Sequence, residues 1–286
     1  VTTRHEAVIR STPAEVTPEL IQGMWALFAR DHRERGYDAP VVVTDESYGT
    51  HPRQRLDVHR AFEPPAGAPV LLFAPGGGFV AGDKDTAGFP FYRHIGRWAA
   101  DRGLVAVTMN YRLAPEHRWP AGAQDVADAV AWVRANIAEH GGDPERIVLV
   151  GHSAGAAHVA GYLACHGGTR PRVAAAGLLS GIYDLRELRQ NELLRSYYGS
   201  DPAELPAREA LPGLRDCAIP LLACVAELDP PDFHAQAEAV RDFVSSFVHV
   251  TGHNHISEIV ALGVDDAPLG EPLLRFIEEY AVRSTA

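Results

Sequence analysis

The chain has 286 residues, 46% hydrophobic and 22% charged, with a formal net charge of −11. That length allows one large α/β domain or two small ones around a sizeable core. The negative charge and the absence of any Lys/Arg block argue against a nucleic-acid surface, and no apolar run approaches the roughly 20 residues that span a bilayer.

Taken in chain order, Val1–Arg10 carries charges rather than a signal-peptide core. Residues 17–30 read as a helix: Thr17 caps it, Pro18 suits the first turn, and Leu20, Met24, Leu27 and Phe28 share a face. Extended segments follow near 41–48 and 54–60. Strands are then predicted at 70–74, 104–109, 147–150, 173–179, 219–226 and 247–250. Helices are predicted at 86–101, 123–138 and from the end of the 147–150 strand to about Cys165. The 123–138 helix puts Val126, Val130, Val133 and Ile137 on one stripe.

Apolar strands alternating with helices imply an α/β fold with a mostly parallel eight-stranded sheet and helices on both faces. The stretch 184–213, with its charges, prolines and tyrosines, breaks the rhythm. It reads as an insertion over the site, with the N-terminal segment, about 1–40, joining it as a helical cap on a single domain spanning 1–286. The cysteines Cys165, Cys217 and Cys224 are odd in number and lack metal spacing, which fits free thiols in a cytoplasmic, reducing compartment.

Gly151-His152-Ser153-Ala154-Gly155 follows the strand Ile147–Val150 and precedes an Ala-rich helix. A strand, a Gly-x-Ser-x-Gly turn and a helix make a nucleophile elbow, in which the glycines prevent collisions as strand and helix pack. The serine needs a base and an acid that orients it, in the chain order Ser, acid, His. Asp229 is favoured as the acid because it follows a strand end and precedes Pro230-Pro231. Glu227 and Asp232 are the alternatives. For the base, His255 is favoured over His253 because it directly precedes an apolar helix start, whereas His249 lies within the last strand. A zinc site from His249, His253 and His255 lacks an acidic or cysteine ligand at a convincing spacing. An oxyanion-stabilising turn is expected at Pro75-Gly76-Gly77-Gly78-Phe79, after the 70–74 strand. No Gly-Lys-Ser/Thr follows it, so a phosphate loop is excluded.

With these residues assembled, the chain resembles the hormone-sensitive-lipase-like branch of α/β-hydrolase esterases over about residues 68–258. The likeness rests on Pro75 to Gly82, on Asn110-Tyr111-Arg112-Leu113-Ala114-Pro115-Glu116-His117 and on the elbow. It implies a triad of Ser153, Asp229 and His255, oxyanion amides from Gly77, Gly78 and Ala154, and a cap that sets acyl specificity. Two positions depart from the family pattern: Pro75 replaces a histidine and Asn110 an aspartate. The Pro75 ring is expected to stiffen the loop in place of the lost side chain, leaving the Gly77 and Gly78 amides aimed beside Ser153. The alternative is a displaced loop. Ser180 to Leu185 and His255 to Ile259 also look like segments of arylformamidase-type hydrolases, which share the same chemistry.

The expected function is hydrolysis of small to medium, moderately apolar esters through an acyl-enzyme, with no cofactor or metal. Arylformamidase activity and a non-catalytic receptor on the same fold are the alternatives. Phe79, Tyr183, Trp25 and Phe28 are the candidate substrate contacts, alongside Tyr197 and Tyr198; packing of the cap is their other reading. A small-molecule ester is the expected partner, with neither nucleic acid nor membrane, and a homodimer is left open.

Overall fold

The computed structural model describes residues 4–165, 172–186, 188–266 and 268–282. Residues 1–3 and 187 of the two expected cap segments lie outside them. The strands are β1 (Val41–Ser47), β2 (Arg55–Arg60), β3 (Ala68–Ala74), β4 (Val105–Met109), β5 (Gly142–His152), β6 (Ala175–Leu179), β7 (Leu221–Ala226) and β8 (Ser246–Val250). They form one sheet in the order β1-β2-β4-β3-β5-β6-β7-β8. Only β2 runs against the others, pairing antiparallel with β1 and β4, so the sheet is mixed rather than wholly parallel.

The helices in chain order are α1 (Glu6–Arg10), α2 (Pro18–Arg35), α3 (Arg93–Ala100), α4 (Ala121–Asn136) and α5 (Ala154–Ala164). They continue with α6 (Glu192–Tyr198), α7 (Leu211–Arg215), α8 (Pro231–Arg241), α9 (Ser257–Val260) and α10 (Gly270–Ile277). Strand β3 shows why its sequence is apolar throughout. Val70, Leu72 and Ala74 enter one core with α4, α5, α7 and α8, while Leu71 and Phe73 enter a second with α2, α3, α9 and α10. Alternate side chains face opposite sides of a sheet, and here both sides are covered.

Local chemistry sets the helix ends. The Thr17 hydroxyl accepts the Leu20 N–H at 3.2 Å, and α2 runs past the expected residue 30 to Arg35. The helix expected over 86–101 begins only at Arg93. Pro90 lies within the expected span, and the residues before it form a loop tied by the Thr86 N–H to Phe91 O and the Tyr92 N–H to Lys84 O.

The two expected cap segments pack in different places. Leu20, Met24 and Phe28 of α2 belong to the core with Ile95, Trp98, Ile259 and Val260. By contrast, Leu185, Leu194, Tyr197, Tyr198 and Leu205 form a third cluster with Phe79, Ala154 and Ala157, directly on the elbow and the glycine turn. Helix α6 is capped by Asn191, whose side chain accepts the Leu194 N–H at 2.9 Å.

Candidate active site

Strand β5 ends at His152, and Ser153 adopts φ 54° and ψ −120° before α5 begins. A left-handed φ is costly for a side-chain-bearing residue, by about 1–3 kcal/mol, and survives only where the surroundings enforce it. Here the Ser153 N–H donates to Leu179 O at 2.8 Å. The two flanking glycines are required by close approach: a Cβ on Gly155 would overlap the Ala74 and Pro75 carbonyls, and one on Gly151 would overlap the Gly155 carbonyl. The elbow is therefore wedged between β3 and α5, with its serine at the C-terminal edge of the sheet.

Ser153, His255 and Asp229 come together. His255 Nε2 lies 2.9 Å from Ser153 Oγ, and its Nδ1 lies 2.8 Å from Asp229 Oδ1. A carboxylate only accepts, so Nδ1 carries the ring proton and Nε2 is left to accept from the hydroxyl. Asp229 Oδ2 accepts from the Ser180 hydroxyl at 2.7 Å and the Ala226 N–H at 2.9 Å. Burial opposes ionisation of Asp229, but the His255 contact and these two donors outweigh it and hold the carboxyl below its ordinary range. Burial likewise pulls the His255 imidazole down, while the charge and hydrogen bond of Asp229, with Glu258 adding to them, raise it overall. The Phe233 ring packs on His255 with centroids 4.2 Å apart.

The alternatives are engaged elsewhere. Glu227 pairs with Arg10 at 2.8 Å and accepts the Gly252 N–H at 2.7 Å. Asp232 sits in the first turn of α8. His253 Nδ1 faces the Ser257 hydroxyl at 3.1 Å, and His249 lies on β8 beside His234, 6.3 Å between rings. Ser180 was not anticipated as a support for Asp229. Its position right after β6 was the available signal.

The glycine turn crosses the elbow. A Cβ on Gly76 would stand 3.2 Å from Ser153 Cβ. Gly77 and Gly78 have φ 150° and 59°, values that favour glycine. Among the described residues, the amides of Gly77, Gly78 and Ala154 donate to no internal acceptor. The Tyr111 hydroxyl donates to Pro75 O at 2.8 Å, and Arg53 donates to Tyr111 O at 2.9 Å and Gly82 O at 2.6 Å, bracing both ends of the turn. Asn110 uses both ends of its amide: Oδ1 accepts the Lys84 N–H at 2.6 Å and Nδ2 donates to Asp83 at 3.0 Å. An aspartate there would have no N–H to offer Asp83.

The aromatic residues expected at the substrate are each in contact with other parts of the chain. Phe28 has no exposed surface and meets the His5 ring edge-on, while Trp25 packs on Phe89 and Phe91. Tyr183 is buried, with its hydroxyl accepting the Gly181 N–H at 3.1 Å. Phe79 is buried by a stacked Tyr197, 4.6 Å between centroids and 4° between planes. Each of the four packs against neighbouring rings or main chain. Leu193, on α6, was not anticipated. It is 44% exposed, with Cδ1 2.9 Å from where a Gly78 Cβ would stand.

A family model described as alpha/beta hydrolase fold matches residues 71–257. Esterase LipQ of Mycobacterium tuberculosis is 32% identical over 219 residues, 69% of this chain and 51% of that protein. Carboxylesterase NlhH of the same organism is 37% identical over 147 residues, 50% of this chain and 38% of its own. The chain spans about half, or less, of the length of these relatives. In fold, it is similar to a crystal structure of esterase B from Lactobacillus rhamnosis, with a TM-score of 0.70 at 18% identity over 92% of this chain and 94% of that one. An esterase from Pyrobaculum calidifontis gives 0.69 at 20% identity over 98% of both chains. The elbow, the glycine turn and the matched span agree: the chain belongs to the α/β-hydrolase fold family, in its hormone-sensitive-lipase-like branch.

Proposed function

We propose that this protein is a serine carboxylesterase whose triad is Ser153, His255 and Asp229. The observation that carries the reading is the continuous line of hydrogen bonds from Ser153 Oγ to His255 Nε2 and from His255 Nδ1 to Asp229, at 2.9 and 2.8 Å. The Ser153 oxygen attacks the ester carbonyl as its proton passes to His255 Nε2. Asp229 stabilises the imidazolium. The carbonyl oxygen, now anionic, is held by the free amides of Gly77, Gly78 and Ala154, the last at the N-terminus of α5. The imidazolium protonates the leaving alcohol, and a water molecule, deprotonated by the same histidine, releases the acid and restores the serine.

Leu193 and the cluster around Phe79 place apolar surface beside the glycine turn, which supports small to medium, moderately apolar esters. The 184–213 segment acts as the cap over a single domain. The N-terminal segment joins it by buttressing the loops of the acid and base: Arg10 pairs with Glu227, and Thr12 Oγ1 accepts from Asn254 Nδ2 at 3.0 Å. No helix among the described residues is long and apolar enough to cross a membrane. The three cysteines are free thiols, which fits a reducing cytoplasm.

Turnover of p-nitrophenyl acetate by the wild type and S153A tests the reading. The variant is expected to lose about 10³-fold or more in kcat while keeping its melting temperature. Near-full activity in S153A, or none in the wild type, overturns it, the second outcome favouring a receptor.

A further inference from the structure

Behind the proposed triad lies a carboxylate for which acyl transfer has no use. Glu258, on α9, is 1% exposed. Its Oε1 lies 3.3 Å from His152 Nε2, without a hydrogen-bond partner among the described residues, and its Oε2 lies 3.7 Å from the Cys224 thiol. Taking an ionised carboxylate out of water costs several kcal/mol unless a partner compensates it, and a hydrophobic side chain of similar volume would serve packing better. Glu258 therefore calls for an explanation beyond filling space.

His152 supplies the link. It is 1% exposed and directly precedes Ser153 in the elbow. Its Nε2 lies 2.9 Å from the main-chain oxygen of His255, and a carbonyl only accepts, so Nε2 carries the proton. That N–H donates to the His255 carbonyl, and the Glu258 carboxylate stands 3.3 Å from the same nitrogen without accepting its hydrogen bond. The strand that carries the nucleophile is thereby tied to the loop that carries the base, from the residue before Ser153 to the main chain of His255 itself. The two imidazole rings lie 4.9 Å apart.

We propose that Glu258 is a positioning residue for the base: its carboxylate, 3.3 Å from His152 Nε2, orients the His152 ring by charge, and the His152 N–H holds the His255 main chain at the distance from Ser153 that proton transfer requires. This inference rests on the ester-hydrolase reading. Among the described residues, titratable groups face the pair from several elements. His152 comes from β5, Cys224 from β7, Tyr183 from the loop after β6, and His255 itself faces Asp229 and Glu258. Both carboxylates favour the imidazolium.

Glu258→Gln keeps volume and hydrogen-bonding capacity and removes the charge. With p-nitrophenyl acetate, E258Q is expected to lose about tenfold in kcat with little change in KM, since misalignment acts on the reacting step. The acid limb of its kcat profile is expected at lower pH than in the wild type, a change that a merely structural role would not produce. His152→Gln can still donate to the His255 carbonyl and His152→Leu cannot, so H152Q is expected to be clearly faster than H152L. Wild-type kcat and an unmoved acid limb in E258Q overturn the proposal, as does equal loss in H152Q and H152L. If E258Q does not fold, the H152Q and H152L comparison decides. An inactive S153A beside a wild-type-like E258Q refutes this inference alone, whereas an active S153A refutes the hydrolase reading beneath it.

Discussion

Replacing Asp229 by Asn exchanges one oxygen for an NH₂ group, and the surroundings dictate which one. Oδ2 receives the Ala226 N–H at 2.9 Å, and that amide can only donate. The carboxamide oxygen must therefore occupy the Oδ2 side, which turns the NH₂ toward His255 Nδ1, 2.8 Å away in the wild type. Nδ1 then has to accept, so the ring proton moves to Nε2, where it faces Ser153 and blocks proton uptake. A triad histidine locked in the wrong tautomer loses about 10⁴ in kcat, or about 5 kcal/mol of transition-state stabilisation. Folding should suffer less, by about 1–3 kcal/mol, because the Ser180 and Ala226 bonds survive to a neutral oxygen. Stopped assays with p-nitrophenyl acetate near pH 8, with thermal melts of both proteins, measure the two effects. A folded D229N within tenfold of wild-type kcat would refute the tautomer reasoning.

The pH profile should follow from the raised His255 pKa. The neutral imidazole is the active form, so the acid limb of kcat/KM is expected above the ordinary value of about 6.5; a midpoint below it contradicts the environment described. H255A should abolish measurable turnover. H253A should keep the rate within a few-fold and lose about 1–3 kcal/mol of stability, because His253 is buried against Ser257; paired rate and melting measurements separate the two. L193A should lower kcat/KM for a butyrate or hexanoate ester by about tenfold, reflecting lost apolar contact, and leave acetate nearly unchanged. Equal effects on short and long acyl chains would remove Leu193 from the substrate path.

The sheet and the elbow were legible because they depend on short-range pattern. All eight strands were expected, and the strand–turn–helix around Ser153 follows from its glycines and its apolar flank. Strand β5 nevertheless starts at Gly142, five residues before the expected Ile147, because Gly142 pairs with Ala68 in a register that polar Asp143-Pro144-Glu145 does not advertise. Whether a side chain is buried depends on what packs on it, and this could not be read in advance. Phe28 and Tyr183 look the same in sequence whether they line a pocket or a core. Glu258 likewise reads as an ordinary helix glutamate until β5 and β7 close around it. The support of Asp229 by Ser180 and of the glycine turn by Arg53 was hidden for the same reason, since each joins segments far apart in the chain.

The His255–Ser153 contact spans 102 residues, and the proposed base sits just after β8, an edge strand. The interior strands, the strained serine and the glycine turn can all assemble without it. Activity is therefore a late acquisition in folding, because a contact of such sequence separation forms only after the intervening chain has paid its loop-closure entropy. A growing chain that has emerged through β6 holds the elbow and its Leu179 acceptor but lacks both Asp229 and His255. On the proposed reading, hydrolytic competence arrives with the docking of the last strand, and a local opening of that edge would switch it off while most of the sheet stays intact.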